Sequence, residues 1–115
     1  MATKVICEDD TVTALLSGEI DHHNAPAVRA IIDTYIDKAQ PKKLILDFGG
    51  VSFMDSSGIG LVMGRYKNVF SYGGKIEIVN LSHHAYKVMK LSGIEKIAVI
   101  KKKKNEEEKS HAYAE

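Results

Sequence analysis

The chain has 115 residues, 44% of them apolar, and a formal net charge of +1, which suits one domain with a single core and leaves little room for a second. So small a charge argues against direct DNA binding or attraction to an anionic membrane, both of which call for concentrated positive charge. The lone cysteine, Cys7, cannot form an intrachain disulfide, no charged-then-apolar leader opens the sequence and no apolar run is long enough to span a bilayer, so the expected location is the reducing cytoplasm.

Two runs rich in Val, Ile, Thr and Leu, Lys4 to Glu8 and Thr11 to Ser17, flank the turn signal Asp9-Asp10 and predict two short strands, the first antiparallel to the second. Asn24 is placed as the N-cap of a first helix, with Pro26 tolerated in its first turn. Val28, Ile31, Ile32, Tyr35 and Ile36 recur at three- and four-residue steps and predict its buried face, ending near Lys38 before Pro41. The run Leu44-Ile45-Leu46, within a strand from Lys43 to Asp47, has the pattern of a central strand buried on both faces, and Gly49-Gly50 then permits a turn.

After Ser56, the residues Ile59, Val62, Met63, Tyr66, Val69 and Phe70 hold helical spacing until Gly73-Gly74 stops the helix. The opposite stripe, Ser57, Gly60 or Leu61, Gly64 and Asn68, is small and weakly polar. Two glycines inside a helix each cost roughly 1 kcal/mol relative to alanine, which points to the close approach of something on that side. Lys75 to Val79 alternates as a strand, Ser82 caps a helix carrying Ala85, Val88 and Met89, and Gly93 stands as its C′ residue. Ile97 to Ile100 is the last strand, and residues 101–115 form a charged tail, expected to be mobile or a frayed helix.

Alternating strands and helices require crossovers, so the fold class is α/β: a mostly parallel sheet of about five strands with three or four packed helices, in one domain over residues 1–100. The chemistry concentrates where the Lys43 to Asp47 strand gives way to the second helix, at Asp55-Ser56-Ser57-Gly58. A helix start carries unpaired N–H groups and partial positive charge, so a hydroxyl there can cap the helix and an anion is stabilised; one of the two serines is therefore a candidate phosphorylation switch.

Other chemistry fits less well. A nucleophile elbow needs glycine two residues before and after the serine, and Met54 or Asp55 stands in the first of those places. The glycines from Gly58 to Gly64 make only a loosened dinucleotide fingerprint, lying mostly inside the helix, with no acidic residue ending the Lys75 to Val79 strand. His22-His23 and His83-His84 are adjacent pairs whose members point in different directions, so neither a metal nor another cofactor is expected. No catalytic residue is assigned, and Asp55 reads as a carboxylate favoured by the helix dipole.

The blocks Gly18-Glu19-Ile20-Asp21-His22-His23 and Ser52-Phe53-Met54-Asp55-Ser56-Ser57-Gly58-Ile59-Gly60, with Gly64-Arg65-Tyr66-Lys67 and Leu91-Ser92-Gly93-Ile94, resemble the STAS-domain anti-sigma factor antagonists from about Lys4 to Ile100. Asp21-His22-His23 and Gly64-Arg65-Tyr66-Lys67 incline the resemblance to the sporulation branch that releases sigma-F, with a stress-response antagonist or a nucleotide-binding STAS module as the alternatives. It implies that Ser56 is phosphorylated by an anti-sigma factor that is itself a serine kinase, with ATP and magnesium belonging to the kinase. Unphosphorylated protein would bind the kinase and free the sigma factor; the phosphorylated form would not, and a serine phosphatase would reset it. The partner surface expected on this basis comprises Asp21, Asp55, Ser57, Gly58, Gly60 and Gly64.

Overall fold

Asp9 adopts a left-handed conformation (φ 53°), as a tight two-residue connection demands, and with Asp10 it joins β1 (Ala2–Glu8) to β2 (Thr11–Ile20) as an antiparallel hairpin pairing Glu8 with Thr11. The computed structural model describes residues 2–104, and the expected tail beyond Lys104 lies outside them. The remaining elements are α1 (Ala25–Ala39), β3 (Lys43–Met54), α2 (Ser57–Phe70), β4 (Lys75–Leu81), α3 (His83–Leu91), a single 3₁₀ turn (Ile94–Lys96) and β5 (Val99–Lys102). Spatial order equals chain order, β1-β2-β3-β4-β5, and every pairing after the first is parallel.

Burial alternates along the paired parts of the central strands and breaks where their register shifts. Val12, Ala14 and Leu16 of β2, Leu44, Leu46 and Phe48 of β3, and Ile76, Ile78 and Leu81 of β4 are buried, whereas Thr13, Leu15, Ile45, Glu77 and Val79 on the other face are only partly covered. The helices bury their apolar sides in the same core: Val28, Ile32 and Ile36 from α1, Leu61, Val62 and Val69 from α2, Ala85 and Met89 from α3. This corrects the expectation that Leu44-Ile45-Leu46 is buried on both sides. A parallel sheet is ordinarily covered on both faces; here the uncovered face carries ions, with Glu77 bridging Lys43 (3.2 Å) and Lys101 (2.8 Å) across three strands. Hydrogen bonding to Lys101, then Lys43, holds the Glu77 carboxyl below its ordinary pKa.

Gly49-Gly50 is not a turn. β3 continues through it to Met54, still paired with β2 at Gly50, Val51, Phe53 and Met54, while its pairing with β4 ends at Asp47 and Val79. The Asp47 carboxylate accepts the Gly49 N–H (2.8 Å) and the Asn80 side-chain amide (3.0 Å), and Asn80 is left-handed (φ 58°), where β4 shifts register against β5. A side chain at position 50 would meet Leu16 O and Ser17 Cβ at 2.9 Å, so glycine here permits a bulge against β2.

Three further expectations change. The buried stripe of α1 is narrower than predicted, since Ile31 (40%) and Tyr35 (38%) are exposed. α2 is rotated: Met63 and Phe70 face solvent, Leu61 lies inward, and Arg65 completes the buried side at 6% exposure. The last strand runs Val99–Lys102 rather than Ile97 to Ile100, because Ile94–Lys96 forms the 3₁₀ turn after Gly93 (φ 81°). Lys102 stands over the Tyr86 ring, and Lys103 donates from its backbone to Leu81 O and from Nζ to Gly49 O.

Arg65 Nε lies 2.8 Å from Asp33 Oδ1 of α1, at an angle outside hydrogen-bond geometry, and neither Nε nor Nη1 has a hydrogen-bond partner among the described residues. Asn68 Nδ2 donates to the same Asp33 oxygen (3.2 Å). Asp33 is thus what balances a guanidinium withdrawn from water. Removing one partner of a buried pair strands the other, whereas replacing the buried ion by an apolar side chain of similar size often costs little. Asp33→Ala is therefore expected to lower unfolding free energy by about 3 kcal/mol and Arg65→Met to stay within about 1 kcal/mol of wild type, as read by urea denaturation.

Candidate functional site

The parallel strands β2 and β3 end side by side, at Ile20 and Met54, and the Asp55 N–H donates to Ile20 O (3.1 Å). The turns that follow are therefore neighbours: Asp21 to Asn24 leads into α1, and Asp55-Ser56 leads into α2. Each turn is organised by its aspartate. Asp21 Oδ1 accepts the N–H groups of His23 (3.0 Å) and Asn24 (2.8 Å), which corrects the assignment of Asn24 as side-chain cap; Asn24 instead donates its amide to Glu19 O (3.3 Å).

Asp55 Oδ1 accepts the Ser57 N–H at 2.7 Å, doing for α2 what a serine hydroxyl was expected to do. Ser56 occupies the N-cap position with helical dihedrals (φ −61°, ψ −15°), makes no side-chain cap bond and is exposed. The first donors of α2 are already engaged: Ser57 N by Asp55 Oδ1, Gly58 N by Asp55 O (3.0 Å), and Ile59 N and Gly60 N by Ser56 O (3.1 and 3.2 Å). The helix start is therefore not an open anion cradle. The Ser57 N–H, then the Ser57 hydroxyl, hold the Asp55 carboxyl below its ordinary pKa of 3.8, with His22 adding charge and a backbone bond.

Asp21, Asp55, Ser56 and Ser57 thus converge at one end of the sheet. Beside them a shallow groove between the helix starts is lined by His22, Pro26, Arg29, Ser57 and Gly60. Gly60 and Gly64 lie along α2, and a Cβ built at either meets nothing within 4 Å, so whatever their smallness serves is not packing among the described residues. Gly58 departs from the expected surface: it is buried, and a Cβ there would collide with Met54 Sδ and Cγ. Its smallness lets α2 settle on the end of β3. Arg65 with Asp33, and Asp47 with Asn80, were missed by sequence reasoning, although the Leu61, Arg65, Val69 spacing of four places Arg65 in line with two core positions.

Among the described residues no three His, Cys, Asp or Glu side chains are grouped to hold a metal ion, and no helix is long and apolar enough to cross a membrane. A half-open sheet that delivers two aspartate-organised turns and an exposed serine to one end defines a binding module of the STAS-domain family, and the STAS pattern matches residues 3–108. The chain belongs to that family, and within it to the anti-sigma factor antagonists. It is 36% identical to the anti-sigma F factor antagonist of Paenibacillus polymyxa over 85 residues, covering 74% of this chain and 73% of that one. Against the anti-sigma-B factor antagonist of Bacillus subtilis it is 28% identical, covering 83% and 85%. The solved structure of the anti-sigma factor antagonist SpoIIAA in its unphosphorylated form superposes with a TM-score of 0.75 at 33% identity, covering 98% of this chain and 96% of that one. The phosphorylated form of SpoIIAA superposes at 0.69 with 34% identity, covering 97% and 99%.

Two measurements check this geometry. Because the Asp55 pKa is depressed in the folded state, the stability it contributes is complete above the unfolded value and is lost as pH falls through the folded one; the Ser57 amide resonance is expected to titrate with a midpoint below 3.8 and to lose that titration in Asp55→Asn. Gly58→Ala is expected to destabilise by about 1–3 kcal/mol through overpacking on Met54. Gly60→Ala and Gly64→Ala, by contrast, are expected to raise stability by roughly 0.5–1 kcal/mol each in thermal melts.

Proposed function

We propose that this protein is the antagonist in a phosphorylation-controlled partner switch: unphosphorylated, it binds an anti-sigma factor that is also a serine kinase and so releases a sigma factor, and phosphate on Ser56 ends the binding. The observation that carries the reading is the exposed Ser56 hydroxyl, free of any capping bond and flanked by Asp55, at the end of the sheet where the Asp21 turn also arrives. The similarity to SpoIIAA, solved in both phosphorylated and unphosphorylated forms, supports it.

The helix start supplies the physical reason. Phosphorylation adds about −1.5 to −2 charge. With the first N–H groups of α2 already bonded, that charge stands beside the Asp55 carboxylate and is carried to the docking surface unneutralised. Repulsion against a surface suited to a neutral hydroxyl lowers affinity tenfold for each 1.4 kcal/mol or so. Asp21, Asp55, Ser57, Gly60 and Gly64 form the partner surface, the two glycines admitting partner backbone or side chains close to α2. Gly58 contributes from beneath, by seating the helix.

The protein acts in the cytoplasm as a regulatory binder and kinase substrate, and a serine phosphatase restores the active form. The relatives include antagonists named for sigma-F and for sigma-B; the higher identity to the former favours the sporulation switch. Engagement of the α2 donors within the helix start favours this reading over a nucleotide phosphate held at the same position.

Incubation with the kinase and ATP is expected to add one phosphate, located at Ser56 by mass spectrometry, and Ser56→Ala is expected to remain unmodified. Phosphorylated protein should bind the kinase at least roughly tenfold more weakly than wild type in calorimetry, a loss of about 1.4 kcal/mol; equal affinity, or phosphate on Ser57 alone, overturns the assignment. Gly60→Ala and Gly64→Ala should weaken kinase binding while stabilising the fold, and unchanged affinity removes that stripe from the interface.

A further inference from the structure

The two edges of the sheet are built differently. β5 spans four residues and its end carries Lys101 to Lys104, all exposed. A short, positively charged edge resists the addition of another strand. β1 runs for seven residues without proline, and no described strand pairs with its outer side.

Register against β2 sorts the β1 side chains. Thr3, Val5 and Cys7 stand opposite Leu16, Ala14 and Val12 on the helix-covered face, so Lys4, Ile6 and Glu8 share the open face. Ile6 is 43% exposed at the middle of this row, with a cation two residues before it and an anion two residues after. Read backwards, the row is its own charge complement.

We propose that β1 is a docking edge for a second copy of this chain, the two β1 strands pairing antiparallel about a twofold axis at Ile6. In that register Lys4 of each copy stands opposite Glu8 of the other, Val5 opposite Cys7, and Ile6 opposite Ile6. Directly opposed residues of an antiparallel pair have Cβ atoms about 4.5–5.5 Å apart, within reach of an ion pair. The contact is isologous, as a closed dimer requires. Centring the axis on Val5 would set Lys4 against Ile6, and centring it on Cys7 would set Glu8 against Ile6, each leaving a charge facing an apolar side chain. A single strand edge buries less than the roughly 800 Å² per partner of a standard interface, so the dimer is weak and forms as concentration rises.

Sedimentation velocity of the full chain over a wide concentration range tests this. Wild type is expected to shift from monomer towards dimer at high concentration. Lys4→Glu, which sets like charges opposite each other twice, should weaken self-association by roughly tenfold or more. Lys4→Glu combined with Glu8→Lys should restore it. Lys4 and Glu8 are exposed and Val5 is half-buried, and a thermal melt of each variant confirms the monomer fold. Under mild oxidation Val5→Cys should yield a covalent dimer through native Cys7. Wild type should not, because Cys7 lies two residues out of register with its counterpart, beyond the roughly 7 Å between Cα atoms that a disulfide spans. Wild type that stays monomeric at every concentration overturns the proposal, as does a charge-reversed double variant that fails to recover or a wild type that crosslinks as readily as Val5→Cys.

Discussion

Beyond Asp47 the chain leaves β4 behind and continues along β2 alone, and the Asp47 carboxylate makes that parting possible. One oxygen takes the Gly49 N–H and the other takes the Asn80 amide, while Asn80 itself is held left-handed. The first bond satisfies a backbone N–H just past the end of the β4 ladder and the second ties β4 to β3 there, so β3 can run on to Met54 without leaving the Gly49 N–H orphaned. The candidate site hangs from that extension. Were β3 to end with β4, the Asp55-Ser56 turn would not reach Ile20, and the Asp21 turn would stand without its neighbour.

At the far end of the extension, two aspartates do the work of helix capping. Asp21 and Asp55 each accept N–H groups from the turn that follows, so both helix starts are fixed without a contribution from the Ser56 side chain. Consuming carboxylates for capping leaves the serine hydroxyl unused and outward. A capping serine would be coupled to helix stability, and altering it would be felt throughout α2; an idle one can be changed with the effect confined to the surface. The Asp33 and Arg65 pair complements this arrangement by tying α1 to α2.

Much of the architecture was legible because its signals are local. Asp9-Asp10 between two β-rich runs specifies a hairpin, Ser82 caps α3 by accepting from Ala85 N, and Gly93 takes the positive φ its place requires. What could not be read depends on neighbours distant in sequence. Gly49-Gly50 is a turn or a bulge according to whether β2 continues alongside. Arg65 reads as surface because its charge masks a stem long enough to fill the α1–α2 interface, and only Asp33, 32 residues earlier, makes it tolerable there. At the site, the position of the serine was legible from the strand-to-helix junction. Which residue caps the helix was not, since both Asp55 and Ser56 can accept from its first turn and the choice depends on the path of the strand before them.

The agreement between strand order in space and in sequence has a consequence for how the protein is made. Each strand pairs with the one synthesised just before it, so the sheet can be extended one strand at a time as the chain emerges from the ribosome, and no early strand has to wait for a late one. Both aspartate-organised turns, and the helices they start, lie in the first 70 residues. The residues of the surface that carries Ser56 are thus all synthesised before β4 and β5, and the lysine-rich edge is the last part of the sheet to be made.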